Sequence, residues 1–115
     1  MTLDPAAMTR LLDITGGDQG FVDELIDTFI EDATSQIEAL RAAAAGGDAE
    51  AIVRPAHSLK SNAANVGATA LEDLARGLEA DGRTGDVPDA VARMASVETE
   101  FAAVRDGLLA ERAAR

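Results

Sequence analysis

The sequence predicts an all-α protein, an antiparallel four-helix bundle with a short additional helix at its N-terminus. Three observations predict it. Hydrophobic residues make up 47% of the 115 positions but aromatic ones only 3%, so alanine, the best helix former, supplies much of the apolar share. Apolar residues recur at spacings of three and four rather than in the alternating runs of strands. Glycine pairs and acidic caps then cut the chain into segments with short connections, the pattern of antiparallel helical neighbours.

The first segment, about Asp4 to Ile14, has Asp4 as N-cap and Pro5 at the first helical position, with Met8, Leu11 and Leu12 on one face. "TGGD" ends it. The second, from about Asp18 to Ala45, places Val22, Leu25, Ile26, Phe29, Ala33, Ile37 and Leu40 on one stripe, and "AGGD" stops it. The third starts near Asp48, with Ile52, Ala56, Leu59, Ala63 and Val66 in a 4-3-4-3 pattern. In the fourth, Thr69 to Glu72 ("TALE") fits a capping box, and Leu71, Leu74, Ala75 and Leu78 face inward. "DGRTGDVP" reads as a loop. The fifth runs from about Pro88, with Val91, Met94, Val97, Phe101, Val104 and Leu108 as its stripe. One domain accounts for residues 1–115.

The net charge of −11 argues against nucleic acid, whose binding needs a basic footprint, and against an anionic membrane surface. With no cysteine there is no disulfide framework and no thiolate metal site. The start, "MTLDPAAM", lacks the basic and apolar regions of a signal peptide, so the cytoplasm is the expected compartment, and Met1 suggests a complete small protein. Nothing approaches the roughly 20 apolar residues of a membrane helix. Other proteins are the partners left.

The stretch "RPAHSLKSNAANVGA", residues 54–68, holds the chain's one histidine, His57, and its one lysine, Lys60. At about 100° per residue, His57 lies roughly 140° from the apolar direction of its helix, Ser61 about 180° and Lys60 about 80°. A core histidine would lie nearer the stripe, so His57 is expected at the surface. Val53, Arg54, Lys60 and Ser61 share its helix face. Two cations beside an imidazole suit an anion better than a metal, and the short side chains of Ser61 and Ala64 leave room for another protein to approach the ring. Pro55 would be the seventh residue of a helix begun after Asp48. Either the regular helix begins later, or Pro55 frees the Ala51 carbonyl and bends the helix so as to present His57.

The string "AHSLKSNAANVGA" resembles the signature of histidine-containing phosphotransfer (HPt) domains, His-x-Leu-Lys-Gly-Ser followed after a short gap by Gly-Ala. His57, Leu59, Lys60, Gly67 and Ala68 match it, and Leu78 and Glu79 match the Leu-Glu that ends the family's next Leu-rich helix. The helical pattern extends the resemblance over essentially the whole chain. Ser61 departs from it, standing where the family often has glycine. The resemblance implies that His57 takes a phosphoryl group from an aspartyl phosphate and passes it to another aspartate. An imidazole with the ordinary pKa of about 6.5 is mostly unprotonated at neutral pH and can act as the nucleophile. On the same resemblance Lys60 offsets the phosphoryl charge, with Arg54 as a helper, and Glu79 hydrogen-bonds the ring and fixes its tautomer. Glu79 lies about 80–90° from the apolar direction of its own helix, where it can reach a neighbour. Gly67 is expected to be structural, a turn or close-packing residue.

The implied partners are response-regulator receiver domains and a sensor or hybrid histidine kinase, meeting a surface that includes Val53, Arg54, Ser58, Ser61 and Ala64. No cofactor is expected on this chain; Mg²⁺ belongs to the partner's receiver domain, and the protein is expected to be a monomer. Catalysis in isolation has little support. A Cys–His pair is excluded, Ser58 does not face His57 on a helix, and "AAAAGGD" lacks the lysine and spacing of a P-loop. "DGRTGD" lacks the ligand pattern of a calcium loop, and one histidine is a poor start for a zinc site. The phosphoacceptor segment of a histidine kinase usually carries an acidic residue after its histidine, where this chain has Ser58. The alternative from another class is a helical adaptor or structural bundle that binds signalling proteins without phosphotransfer.

Overall fold

The computed structural model describes residues 16–113 together with Ala6, Thr9, Arg10 and Asp13. Among the described residues there are four α-helices and no strand: α1 Gln19–Ala45, α2 Ala49–Asn65, α3 Thr69–Thr84 and α4 Ala90–Ala113. The short helix expected over Asp4–Ile14, with its Met8, Leu11 and Leu12, lies largely outside the described residues. Each helix packs on its neighbour in sequence, and α4 closes the ring against α1, which makes an up-down-up-down bundle.

The starts of α1 and α2 form where the sequence places them. The Asp18 side chain accepts from Phe21 N–H at 3.1 Å and Asp48 from Ala51 N–H at 3.1 Å, each satisfying an otherwise unpaired donor of the first turn. At the far end of α1, Gly47 has φ +66° and Asp48 N–H reaches back to the Ala43 carbonyl at 3.0 Å. The α2 end repeats the device: Gly67 has φ +72°, and Ala68 N–H bonds the Ala63 carbonyl at 2.9 Å. This is a Schellman turn, and it fixes Gly67 as a turn residue, because the left-handed conformation suits glycine.

Two local expectations fail here, and one of the two readings of Pro55 falls with them. The loop expected over "DGRTGDVP" begins only after Thr84, because α3 runs on through residues 81–84. The capping box at Thr69 does not form: the N-cap is Ala68, with no side-chain cap bond. The Schellman turn has already committed Ala68 to ending α2, so Thr69 enters α3 as a helical residue, and Glu72 pairs with Arg76 at 2.6 Å instead. Nor does the regular helix begin late. Helix α2 runs unbroken through Pro55, which leaves the Ala51 carbonyl without its usual donor four residues on.

The core is built from the stripes. Val22, Ile26, Phe29, Ala33, Ile37 and Leu40 of α1 meet Ile52, Ala56, Leu59 and Ala63 of α2, Leu71, Ala75 and Leu78 of α3, and Met94, Val97, Phe101, Val104 and Leu108 of α4. Leu25 is only half-buried and Val91 is 66% exposed. The wheel assigned Val91 to the stripe, but it sits in the first turn of α4, at the end of the bundle. No helix among the described residues is long and apolar enough to cross a membrane.

Candidate functional site

Burial identifies one exception to the apolar core. Among the described residues Glu79, on α3, is the buried charged one, only 5% exposed. A buried carboxylate is costly unless several donors replace its water, and here three do. Lys60 Nζ lies 2.6 Å from Oε1, Arg83 donates to Oε2 at 2.6 Å, and His57 Nδ1 lies 2.9 Å from Oε2. Together they hold the Glu79 carboxyl at about 2, well below its ordinary 4.5: the Arg83 hydrogen bond does most, then that of Lys60, with burial opposing and His57 adding less.

This ionised carboxylate settles the histidine. It can only accept, so the Nδ1 it touches carries a proton, and in the neutral ring the lone pair is on Nε2. The side chain of His57 remains 56% exposed while that of Glu79 is 7% exposed. The ring is therefore held at one nitrogen by the protein interior and open on its surface.

The helices come close enough for this because of a glycine. A Cβ on Gly82 of α3 would stand 2.9 Å from Val53 Cγ2 and 3.0 Å from the Ala49 carbonyl oxygen of α2. One turn before Gly82, Glu79 thus lies within reach of His57 and Lys60. The Lys60 ammonium lies on Glu79 Oε1 at 2.6 Å, and the residue is half-buried. Val53 is also half-buried, its methyl turned to the α3 seam. Around the ring, Arg54, Ser61 and Ala64 are exposed and Ser58 is half-buried. Asn62 donates to Gln36 of α1 at 3.2 Å, tying the other side of α2.

The sequence reading brought His57, Lys60 and Glu79 together but missed Arg83, Gly82 and Gln36. Both Arg83 and Gly82 stand in "DGRTGDVP", the stretch that reads as a loop, whereas α3 continues to Thr84; only with the helix extended does the four-residue step from Glu79 to Arg83, or a glycine inside a helix, become a signal. Gln36 had none, since its partner lies on another helix.

Known proteins resemble this chain in sequence and in fold. The family model for the Hpt domain matches residues 24–107. Among solved structures, the chain is similar to the crystal structure of histidine-containing phosphotransfer protein B (HptB) from Pseudomonas aeruginosa PAO1. The two share a TM-score of 0.90 and 32% identity, over 99% of this chain and 96% of that one. No curated protein matches significantly.

Proposed function

This chain belongs to the Hpt domain family, and from that premise we propose that Nε2 of His57 is the atom that carries the phosphoryl group. Family membership makes it a histidine phosphotransfer protein of two-component signalling, with receiver domains and histidine kinases as its partner classes. The observation that carries the assignment is the 2.9 Å contact of His57 Nδ1 with Glu79 beneath an exposed ring.

In the forward step the Nε2 lone pair attacks the phosphorus of a receiver's aspartyl phosphate. A P–N bond forms, the P–O bond to the aspartate breaks, and that electron pair returns to the receiver's carboxylate. The proton on Nδ1 stays where it is. The imidazole gains positive charge as the P–N bond forms, and the Glu79 carboxylate lies against the nitrogen that shares it. Transfer to a second aspartate is the reverse. Such chemistry rests on in-line positioning and on neutralising the phosphoryl oxygens. Arg54, exposed one turn before His57, and the Lys60 ammonium are the cations for that task, with Mg²⁺ supplied by the receiver.

The docking surface is the exposed side of α2 around His57: Arg54, Ser58, Ser61 and Ala64, with the open edge of Val53. Ser61 keeps the profile low in the place of the family's glycine. We assign the protein to the cytoplasm as a monomer, where receivers and kinase output domains meet it.

An aspartyl-phosphorylated receiver should label the protein, with an acid-labile, alkali-stable product, and His57→Gln should abolish the label. Undiminished labelling of the variant would remove His57 from the mechanism. Labelling of neither protein by any receiver of the source organism would favour a binding-only adaptor.

A further inference from the structure

The phosphotransfer reading uses His57, Glu79, Lys60 and Arg54, and leaves Arg83 without a task. Arg83 lies in the last turn of α3 with its side chain 61% exposed, yet its guanidinium is on Glu79 Oε2 at 2.6 Å, the oxygen that also faces His57 Nδ1 at 2.9 Å. An exposed arginine needs no such partner to be solvated. A lone carboxylate beside a histidine favours the imidazolium, since opposite charge stabilises the protonated ring. That would put a proton on Nε2 and remove the lone pair that the reaction needs. A carboxylate that two cations already share offers the ring much less of that pull.

We infer that Arg83 is a positioning residue for phosphoryl transfer: by sharing Glu79 Oε2 it lets the carboxylate fix the His57 tautomer without drawing a second proton onto the ring. Lys60 contributes the same offset through Oε1, at 2.6 Å, but it also stands on the helix of the acceptor. Arg83, on the facing helix, meets the site at Glu79 Oε2. The charged groups facing the ring are thus Arg54 and Lys60 from α2 and Glu79 and Arg83 from α3. From α1, the other helix packed on α2, the nearest polar contact is the neutral Gln36 on Asn62, more than a turn beyond His57. Asp32 lines the groove farther along, beside Asn62 and Asn65. Helix α4 packs on α1 and α3.

This inference rests on the reading of His57 as phosphoacceptor, but its test does not need a phosphoryl donor. The chain has a single histidine, so an NMR titration of the imidazole carbons follows one ring without assignment. In Arg83→Ala the titration midpoint should rise by about 0.5–1 pH unit relative to the parent protein, less than the roughly 1–3 units of a directly adjacent charge because the guanidinium meets the ring by way of Glu79. Arg83→Lys should restore most of it. Where a receiver phosphate is then supplied, Arg83→Ala should accept it about three- to tenfold more slowly at pH 6, and no more slowly than the parent by pH 8.5, well above the ordinary imidazole range. An unchanged midpoint would overturn the inference. So would a rate loss of equal size at every pH, which would mean that Arg83 touches the phosphoryl group or the partner. Failure of His57→Gln to abolish labelling would remove the phosphoacceptor reading while leaving the titration result standing.

Discussion

The α1–α4 seam and the α2–α3 seam are made of different materials. Between α1 and α4, Phe29 and Phe101 meet with ring centroids 6.2 Å apart, above Ile37, and the polar pairs stay at the rim. Arg41 bonds Glu98 at 2.7 Å, and Arg112 reaches Asp23 and Asp27 from the last turn of α4. A groove of about 240 Å³ remains open beside Phe101. Between α2 and α3 there is no aromatic filling. Gly82 brings the backbones together, and the ionic group lies inside the seam rather than on its edge. The first seam supplies burial and tolerates looseness. The second holds a carboxylate in register with an imidazole and tolerates little.

The comparison breaks most forcefully at Phe101. Phe101→Ala removes a ring that is 9% exposed, and truncations of this kind cost about 3–5 kcal/mol. The open groove lets water and neighbours relax into the space, so the lower end, about 3 kcal/mol, is expected from urea unfolding. Phosphoryl acceptance by the folded protein should stay within about twofold of the parent, because the α2–α3 seam is untouched. A transfer loss much beyond that, measured where the variant is fully folded, would mean that the two seams are not separable.

Glu79→Gln addresses the other seam at nearly the same magnitude, and through pH. The carboxyl is held at about 2 in the folded protein against an ordinary value of 4.5. A depressed folded value adds stability that is present above the unfolded pKa and lost as pH falls through the folded one. The shift is worth on the order of 3 kcal/mol at neutral pH. It should be complete above about pH 5 and largely gone near pH 2. Glutamine keeps the shape and an accepting oxygen for Nδ1–H but has no charge to lose. The variant should therefore be less stable at pH 7 and converge on the parent as pH approaches 2. A stability difference between the two that is flat from pH 7 to pH 2 would show that the charge in this seam contributes nothing.

What could be read in the sequence divides along the same line. The apolar stripes of α1 and α4, the Asp18 and Asp48 caps and the outward direction of His57 all follow from the spacing along one helix, and the structure has them there. Spacing also carried Glu79 to the core edge. It failed where two elements share a residue: Ala68 serves the end of α2 and the start of α3, so the capping box at Thr69 had nothing to cap. It failed at Val91, because a wheel does not know where a bundle ends. The ammonium of Lys60 and the guanidinium of Arg83 both converge on Glu79, and that convergence depends on how closely α2 and α3 approach. A helix wheel carries no distance between axes.

That distance is set at Gly82, where the smallest and most discriminating effect is expected. Gly82→Ala has two opposed consequences. Inside a helix, alanine is favoured over glycine by about 1 kcal/mol. Its Cβ, however, would stand 2.9 Å from Val53 Cγ2 and 3.0 Å from the Ala49 carbonyl oxygen. Overpacking of this kind costs about 1–3 kcal/mol. The valine is stiff at χ1 and the carbonyl belongs to the backbone, so neither yields easily. Overpacking should win narrowly, leaving a net loss of about 1 kcal/mol. The functional loss should exceed what that figure suggests. Relief comes from α3 moving away from α2, and Glu79, one turn from Gly82, moves with it and lengthens its 2.9 Å contact with His57. Phosphoryl acceptance should fall severalfold while the urea midpoint drops by about 0.3–1 M. A variant stabilised by the full helical gain, with transfer undiminished, would mean that α3 has room to spare and that the close approach at Gly82 does not position the site.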